Sequence, residues 1–234
     1  MFLLSFVLTL FLLILFIPLF RHLRYGQSIR EEGPKSHFSK AGTPTMGGIT
    51  IGISVLTVFL ISSYVIKIPY IWLFIIPFVL YFLIGFLDDI LIIIRGSNKG
   101  LSAKTKLIMQ IIGAGVYYFV FLSYGLSTEV QVFKYIVDLK WGYGLLILLI
   151  FVATSNAVNL SDGIDGLASG LSIICLTAIA IIAYTYKNGA VLMFSIILIA
   201  SLLAFLCYNF NPAKIFMGNT GSLLLGATLA NLMI

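Results

Sequence analysis

Charge is what this chain has least of. Of 234 residues, 14 are Lys or Arg and 8 are Asp or Glu, 9% in all, while 61% are apolar and the mean hydropathy is +1.13. Such a chain cannot clothe a water-facing surface in ions, which excludes an ordinary soluble globular protein and leaves an integral membrane protein. Polar stretches long enough for a separate soluble domain are missing too, so residues 1–234 are expected to form one domain. Cysteine is scarce: Cys175 and Cys207 lie inside apolar runs at a spacing that fits no metal motif, and both read as packing residues. The two histidines, His22 and His37, are isolated and are assigned no role. No basic stretch precedes the first apolar run, Phe2 to Phe20, and no small-residue cleavage pattern follows it, so it reads as a retained span rather than a removable signal peptide. The chain has no internal repeat of the kind found in many transporters and no low-complexity segment. Its net charge of +6 reads as cytoplasmic loop charge rather than a nucleic-acid surface.

What is present is a series of apolar runs near 2–20, 46–66, 69–87, 107–124, 141–158, 168–186 and 190–208, with an eighth starting near Gly221 and reaching Ile234. Each of the seven approaches the roughly 20 residues that a helix needs to cross hydrocarbon. They are continuously apolar rather than alternating, which favours helices over barrel strands. The expected fold is all-α, a polytopic transmembrane bundle of about seven full spans plus a partial eighth. Lys67, Lys134, Lys140 and Lys187 fall in the even-numbered loops, and the other ten basic residues fall in the odd-numbered ones. By the positive-inside rule the odd loops are cytoplasmic and the N-terminus lies outside. The external segment from Gly125 to Lys140 alternates partly polar and apolar residues, which suits a short surface hairpin.

The chemistry sits in the odd loops. The first, GQSIREEGPKSHFSKAGTPTMGGI, combines basic residues with a Gly-rich helix entry, a pattern suited to an anion and equally to a simple positive tether. The third, GFLDDILIIIRGSNKGLSAKTKL, places Asp88 and Asp89 after the apolar run, with Lys99, Lys104 and Lys106 following. Adjacent carboxylates raise each other's proton affinity or are kept ionised by a cation, and either state suits a base or a metal contact. The fifth, SNAVNLSDGIDGLA, has no Lys or Arg. It reads as the lining of a polar cavity, and if helical it sets Asp162 and Asp165 on one face. Gly163 and Gly166 allow a ligand close to the backbone. The seventh, NFNPAKIFMGNTGSLLLG, supplies Lys214 for an anion and Phe216 for stacking before a Gly-rich turn into a helix. Loop parity puts all four on one membrane face, where they can build one site between a water-soluble phosphorylated substrate and a lipid one. Metal-assisted phosphoryl transfer is the reaction class this suits.

In order and spacing these four blocks closely resemble the cytoplasmic loops of the phospho-N-acetylmuramoyl-pentapeptide-transferase family, within the polyprenyl-phosphate sugar-1-phosphate transferases. The resemblance implies a multi-pass bacterial inner-membrane enzyme with its site facing the cytoplasm. Its reaction is transfer of phospho-N-acetylmuramoyl-pentapeptide from a UDP carrier to undecaprenyl phosphate, giving lipid I and UMP with Mg²⁺ as cofactor. The implied partners are UDP-N-acetylmuramoyl-pentapeptide, undecaprenyl phosphate and the bilayer; no nucleic acid is expected, and a homodimer is left open. Carried over residue by residue, Asp88 resembles the base or lipid-phosphate positioner and Asp89 its partner at the phosphates. Lys40, Thr45, Lys104 and Asn159 resemble substrate or phosphate contacts. Gly163, Ile164, Asp165 and Phe216 are similar to the uridine pocket, and Asp162 lies beside the metal and phosphates.

This sequence departs from the family pattern at Asn219, where the family has an Asp that binds Mg²⁺. An amide oxygen brings no charge to a hard cation, so lower metal affinity and weak or absent turnover are expected. The family also continues through further helices and a His-rich loop, so the chain reads as C-terminally truncated. The alternatives are another polyprenyl-phosphate N-acetylhexosamine-1-phosphate transferase, an inactive binding relative, and a cation-coupled transporter.

Overall fold

A computed structural model describes residues 1–23, 42–96 and 100–234. Among them are eight helices: α1 (Phe2–His22), α2 (Gly48–Ile66), α3 (Ile71–Arg95), α4 (Ala103–Ser123), α5 (Gly142–Ser161), α6 (Leu167–Thr185), α7 (Gly189–Asn209) and α8 (Gly218–Met233). The first seven are long and apolar enough to cross a membrane. A hairpin of β1 (Glu129–Val132) and β2 (Tyr135–Asp138) joins α4 to α5, antiparallel with Glu129 opposite Asp138 and Val132 opposite Tyr135. The hairpin expected between Gly125 and Lys140 is therefore present. Phe133 and Trp141 stand exposed beside it, as aromatic side chains do at a membrane boundary.

Burial follows the logic of a chain dissolved in lipid. On α1 the face formed by Leu3, Val7, Phe11 and Ile14 is exposed, while Ser5, Thr9, Leu13, Ile17 and Phe20 point inward. Polar side chains then serve as interhelical fasteners, since no water competes for them. Ser5 Oγ donates to the Ile197 carbonyl (2.8 Å), Thr9 Oγ1 to Ser201 Oγ (2.8 Å), and Ser54 Oγ to the Ser5 carbonyl (3.1 Å), tying α1 to α7 and α2. Across α3, α4 and α5, Tyr81 Oη donates to the Gln110 carbonyl (2.8 Å) and Asn156 Nδ2 to Gln110 Oε1 (2.9 Å).

At the centre is α8, buried continuously from Thr220 to Leu232. Its neighbours approach closely because glycines line the contacts. A Cβ on Gly48 of α2 would overlap the backbone of Gly221, one on Gly85 of α3 the backbone of Asn219, and one on Gly226 of α8 the backbone of Thr154 and Ser155 in α5. These contacts fix α8 against three other helices, its N-terminal end against α2 and α3 and its middle against α5, and the candidate site is built at that N-terminal end.

Two expectations are corrected. Hydropathy ends the third span at residue 87, but α3 runs on to Arg95 and stops at Gly96, whose left-handed conformation (φ 55°) closes the helix. Asp88 and Asp89 are thus inside the helix, not after it, because partners from other segments satisfy their charge. The fifth polar segment is likewise helical up to Ser161, and only residues 162–166 form a turn.

Candidate active site

Neighbours on a helix point about 100° apart, so α3 sends Asp88 and Asp89 to different partners. Asp89, 4% exposed, faces the start of α8. Its Oδ1 accepts from Asn219 N and Asn219 Nδ2 (both 3.0 Å), and its Oδ2 from Thr220 N (2.8 Å) and Thr220 Oγ1 (2.6 Å). The first N–H groups of a helix have no partner within it and carry the positive end of its dipole, so a carboxylate from another helix caps α8. Gly218 makes room for this: its φ is 76°, and a Cβ there would lie 2.6 Å from Asp89 Oδ2 and 3.0 Å from Thr45 Oγ1. Thr45 is thereby placed beside the same helix start.

Asp88, 2% exposed, turns to the segment that opens α4. Lys106 Nζ lies 2.5 Å from its Oδ2, and Leu101 N donates to its Oδ1 (2.6 Å). A side chain at Gly100 would collide with this carboxylate, and Arg95 Nη1 holds the Gly100 carbonyl (2.8 Å), so the turn fits tightly around Asp88. Lys104, the lysine the resemblance selects, is exposed on the first turn of α4.

From α5, Asn159 Nδ2 donates to Asn219 Oδ1 (2.7 Å) and Ser222 Oγ (2.8 Å). Asp162 follows the last turn of α5, close enough to Asp89 and Gly218 to feel both. Burial, then the negative charge of Asp89, raises its carboxyl well above the usual carboxylate range, against a lowering hydrogen bond from the Gly218 backbone. Asp165 does not share a face with it: Asp165 Oδ2 accepts from Ala213 N (3.1 Å), on the chain between α7 and α8. Asn209 fastens the same two segments, accepting from Gly166 N (3.1 Å) and Ser169 Oγ (3.3 Å) while donating to the Ile215 carbonyl (2.9 Å).

The segment before α2 is stitched to the segment before α8: Phe216 N donates to the Pro44 carbonyl (2.8 Å), Gly47 N to that of Phe216 (2.9 Å), and Gly48 N to that of Met217 (2.9 Å). The Phe216 ring is 8% exposed, whereas Gly163 and Ile164 are exposed, Ile164 by 63%. Lys40 lies outside the described residues. The described parts of all four odd-numbered connections therefore meet at one end of the bundle, as loop parity requires.

Sequence reasoning missed Lys106, Thr220, Ser222 and Asn209 as site residues. Lys106 carried a usable signal, standing one turn inside an apolar helix where an unpaired ammonium is costly. The donor set for Mg²⁺ is poor. The described residues hold no group of three or more His, Cys, Asp or Glu arranged for a metal, both Asp89 oxygens are taken, and Asn219 contributes no charge.

A bundle with its acidic residues gathered at the start of a buried helix matches the model of glycosyl transferase family 4 over residues 68–234, and this defines the class. A phospho-N-acetylmuramoyl-pentapeptide-transferase signature matches residues 40–51. The relative of that name from Geobacillus thermodenitrificans is 43% identical over 97% of this chain and 71% of its own length. The one from Bacillus subtilis is 42% identical over 99% and 73%, and the one from Oceanobacillus iheyensis 45% over 98% and 72%. The chain belongs to the phospho-N-acetylmuramoyl-pentapeptide-transferase family.

Proposed function

We propose that this chain works at the membrane face as its family does, transferring phospho-N-acetylmuramoyl-pentapeptide from UDP to undecaprenyl phosphate. An oxygen of the lipid phosphate attacks the phosphorus that bears the sugar, the bond to UMP breaks, and UMP leaves with the electron pair, giving lipid I. The observation that carries this reading is the convergence of Asp88 with Lys106, Asp89 with the start of α8, Asn159 and Asp162 at one end of the bundle. Asp88 and Lys106 would align the lipid phosphate, and the exposed Lys104 would meet the diphosphate. Asp89 is already filled by four protein donors and serves as the anchor that holds the site together. The docking of the 163–166 turn on the segment around Asn209 and Ala213 supports a nucleoside pocket there. The basic residues of the odd loops support a cytoplasmic site and an outside N-terminus in the bacterial inner membrane.

A second reading, binding of the same UDP-sugar without turnover, is favoured by Asn219. The test incubates the purified chain with UDP-N-acetylmuramoyl-pentapeptide and undecaprenyl phosphate. UMP release that needs both substrates and is lost in Asp88→Asn is the expected result. Binding of the UDP-sugar without UMP selects the second reading, and absence of both removes the function.

A further inference from the structure

The same junction supports one more step, which does not depend on transfer activity. Asn219 has both ends of its side chain engaged: Nδ2 donates to Asp89 Oδ1 (3.0 Å) and Oδ1 accepts from Asn159 Nδ2 (2.7 Å). Its backbone N–H binds the same Asp89 oxygen (3.0 Å). A single amide therefore bridges α3, α5 and α8 at a place closed to solvent on most sides. With an Asp at this position the contact to Asn159 would survive, since a carboxylate accepts, but the contact to Asp89 would reverse sign. Two anionic oxygens would then face each other at hydrogen-bond distance, and in a desolvated site they need a cation or a proton between them. The N–H of Asn219 removes that need by supplying the positive end of a dipole where a metal would supply charge.

The geometry points to a cation-free junction: the Asn219 amide takes the place of a divalent cation in joining Asp89 to Asn159, so this chain holds its site together without Mg²⁺ and binds no Mg²⁺ there. A diphosphate ligand entering this site would then be held by protein donors alone. These include the exposed Lys104, not a bridging metal.

The test uses the full chain in detergent, Mn²⁺ as the paramagnetic stand-in for Mg²⁺, and no substrate. The wild-type chain should show no stoichiometric Mn²⁺ by electron paramagnetic resonance and the same thermal midpoint in EDTA as in Mg²⁺. Asn219→Asp should bind about one Mn²⁺ per chain, at least roughly tenfold more tightly than wild type. Its midpoint in EDTA should fall by roughly 5 °C and recover in Mg²⁺. Stoichiometric Mn²⁺ on the wild-type chain, or a wild-type midpoint that rises with Mg²⁺, overturns the inference. So does an Asn219→Asp chain as stable in EDTA as wild type that binds no Mn²⁺. If Asn219→Asp does not fold, the wild-type Mn²⁺ titration decides alone. Neither readout involves UMP, so failure of the transfer reading and failure of this one are separately visible.

Discussion

Asp88 and Asp89 are adjacent in sequence, equally buried and alike in chemistry, yet the fold uses them in opposite ways. Asp89 is surrounded by neutral donors on rigid backbone and short side chains, all at the start of α8. Asp88 has one backbone N–H and one flexible cation, Lys106, whose side chain remains 19% exposed. A carboxylate held by fixed dipoles has no freedom to follow a reaction, whereas one held by a mobile ammonium can exchange that partner for a phosphate. The contrast teaches that a paired acidic motif need not be a pair of equivalent groups: Asp89 is locked into the junction, and on the proposed function Asp88 is the member left to work in it.

The sharpest way to break this contrast is to remove each carboxylate in turn. Asp89→Ala leaves two backbone N–H groups, an amide and a hydroxyl without their acceptor in a dry junction, and should cost about 3–5 kcal/mol in thermal or denaturant unfolding in detergent. Asp88→Ala should cost clearly less, because Lys106 can turn toward water. If the two variants unfold alike, the division of labour fails. The next effect is kinetic. Lys106→Met should reduce UMP release by about 10²–10³-fold while leaving UDP-sugar binding little changed, and Lys106→Arg should restore part of it. An equal loss of binding and turnover would make Lys106 a substrate contact instead.

How much of this was legible beforehand differs between the same two residues. The seven spans, the hairpin and the gathering of the odd loops follow from hydropathy and charge placement, and all are found. That Asp88 and Asp89 are candidates was also readable from their position, since charge next to hydrocarbon is rarely idle, and the structure places both at the junction where the odd connections meet. Their separate partners were not, because these come from residues 13 and 18 positions away for Asp88 and 130 and 131 positions away for Asp89. Hydropathy marks where hydrocarbon ends, not where a helix ends, which is why α3 outruns its apolar stretch by two turns. Asn209 escaped notice for a similar reason: its work is to fasten two connecting segments, and an Asn at a helix end reads as a cap until the second segment is seen.

A smaller effect separates the core of α8 from the lipid-facing surface. Gly85→Val pushes a branched side chain into the Asn219 backbone and should cost about 1–3 kcal/mol, with the damage passed to Asp89 through the displaced start of α8. Gly115→Ala, on a face of α4 with open space around it, should be neutral or stabilise by about 0.5–1 kcal/mol through helix propensity. Similar costs at both positions would mean that close helix approach is not what these glycines are for.

The smallest effects lie outside the spans, where two carboxylates respond to pH in opposite directions. Asp162 is raised in the folded state by burial and by Asp89, so the folded chain holds its proton more tightly than the unfolded one does. Its contribution to stability is complete below the unfolded value of about 3.8 and is lost as pH rises through the higher folded value. Asp162→Asn should therefore flatten that decline and stabilise the chain at neutral pH. Asp138 is lowered, first by the Thr128 hydroxyl and then by the Lys140 N–H, so its contribution is present above about 3.8 and fades as pH falls through the lower folded value. Because Asp138 is exposed on the hairpin, Asp138→Asn should barely alter unfolding at pH 7 and should remove only a shallow acid-side loss. Stability profiles of the two variants that change in the same direction would break this opposition between a carboxyl raised by burial and one lowered by local hydrogen bonds.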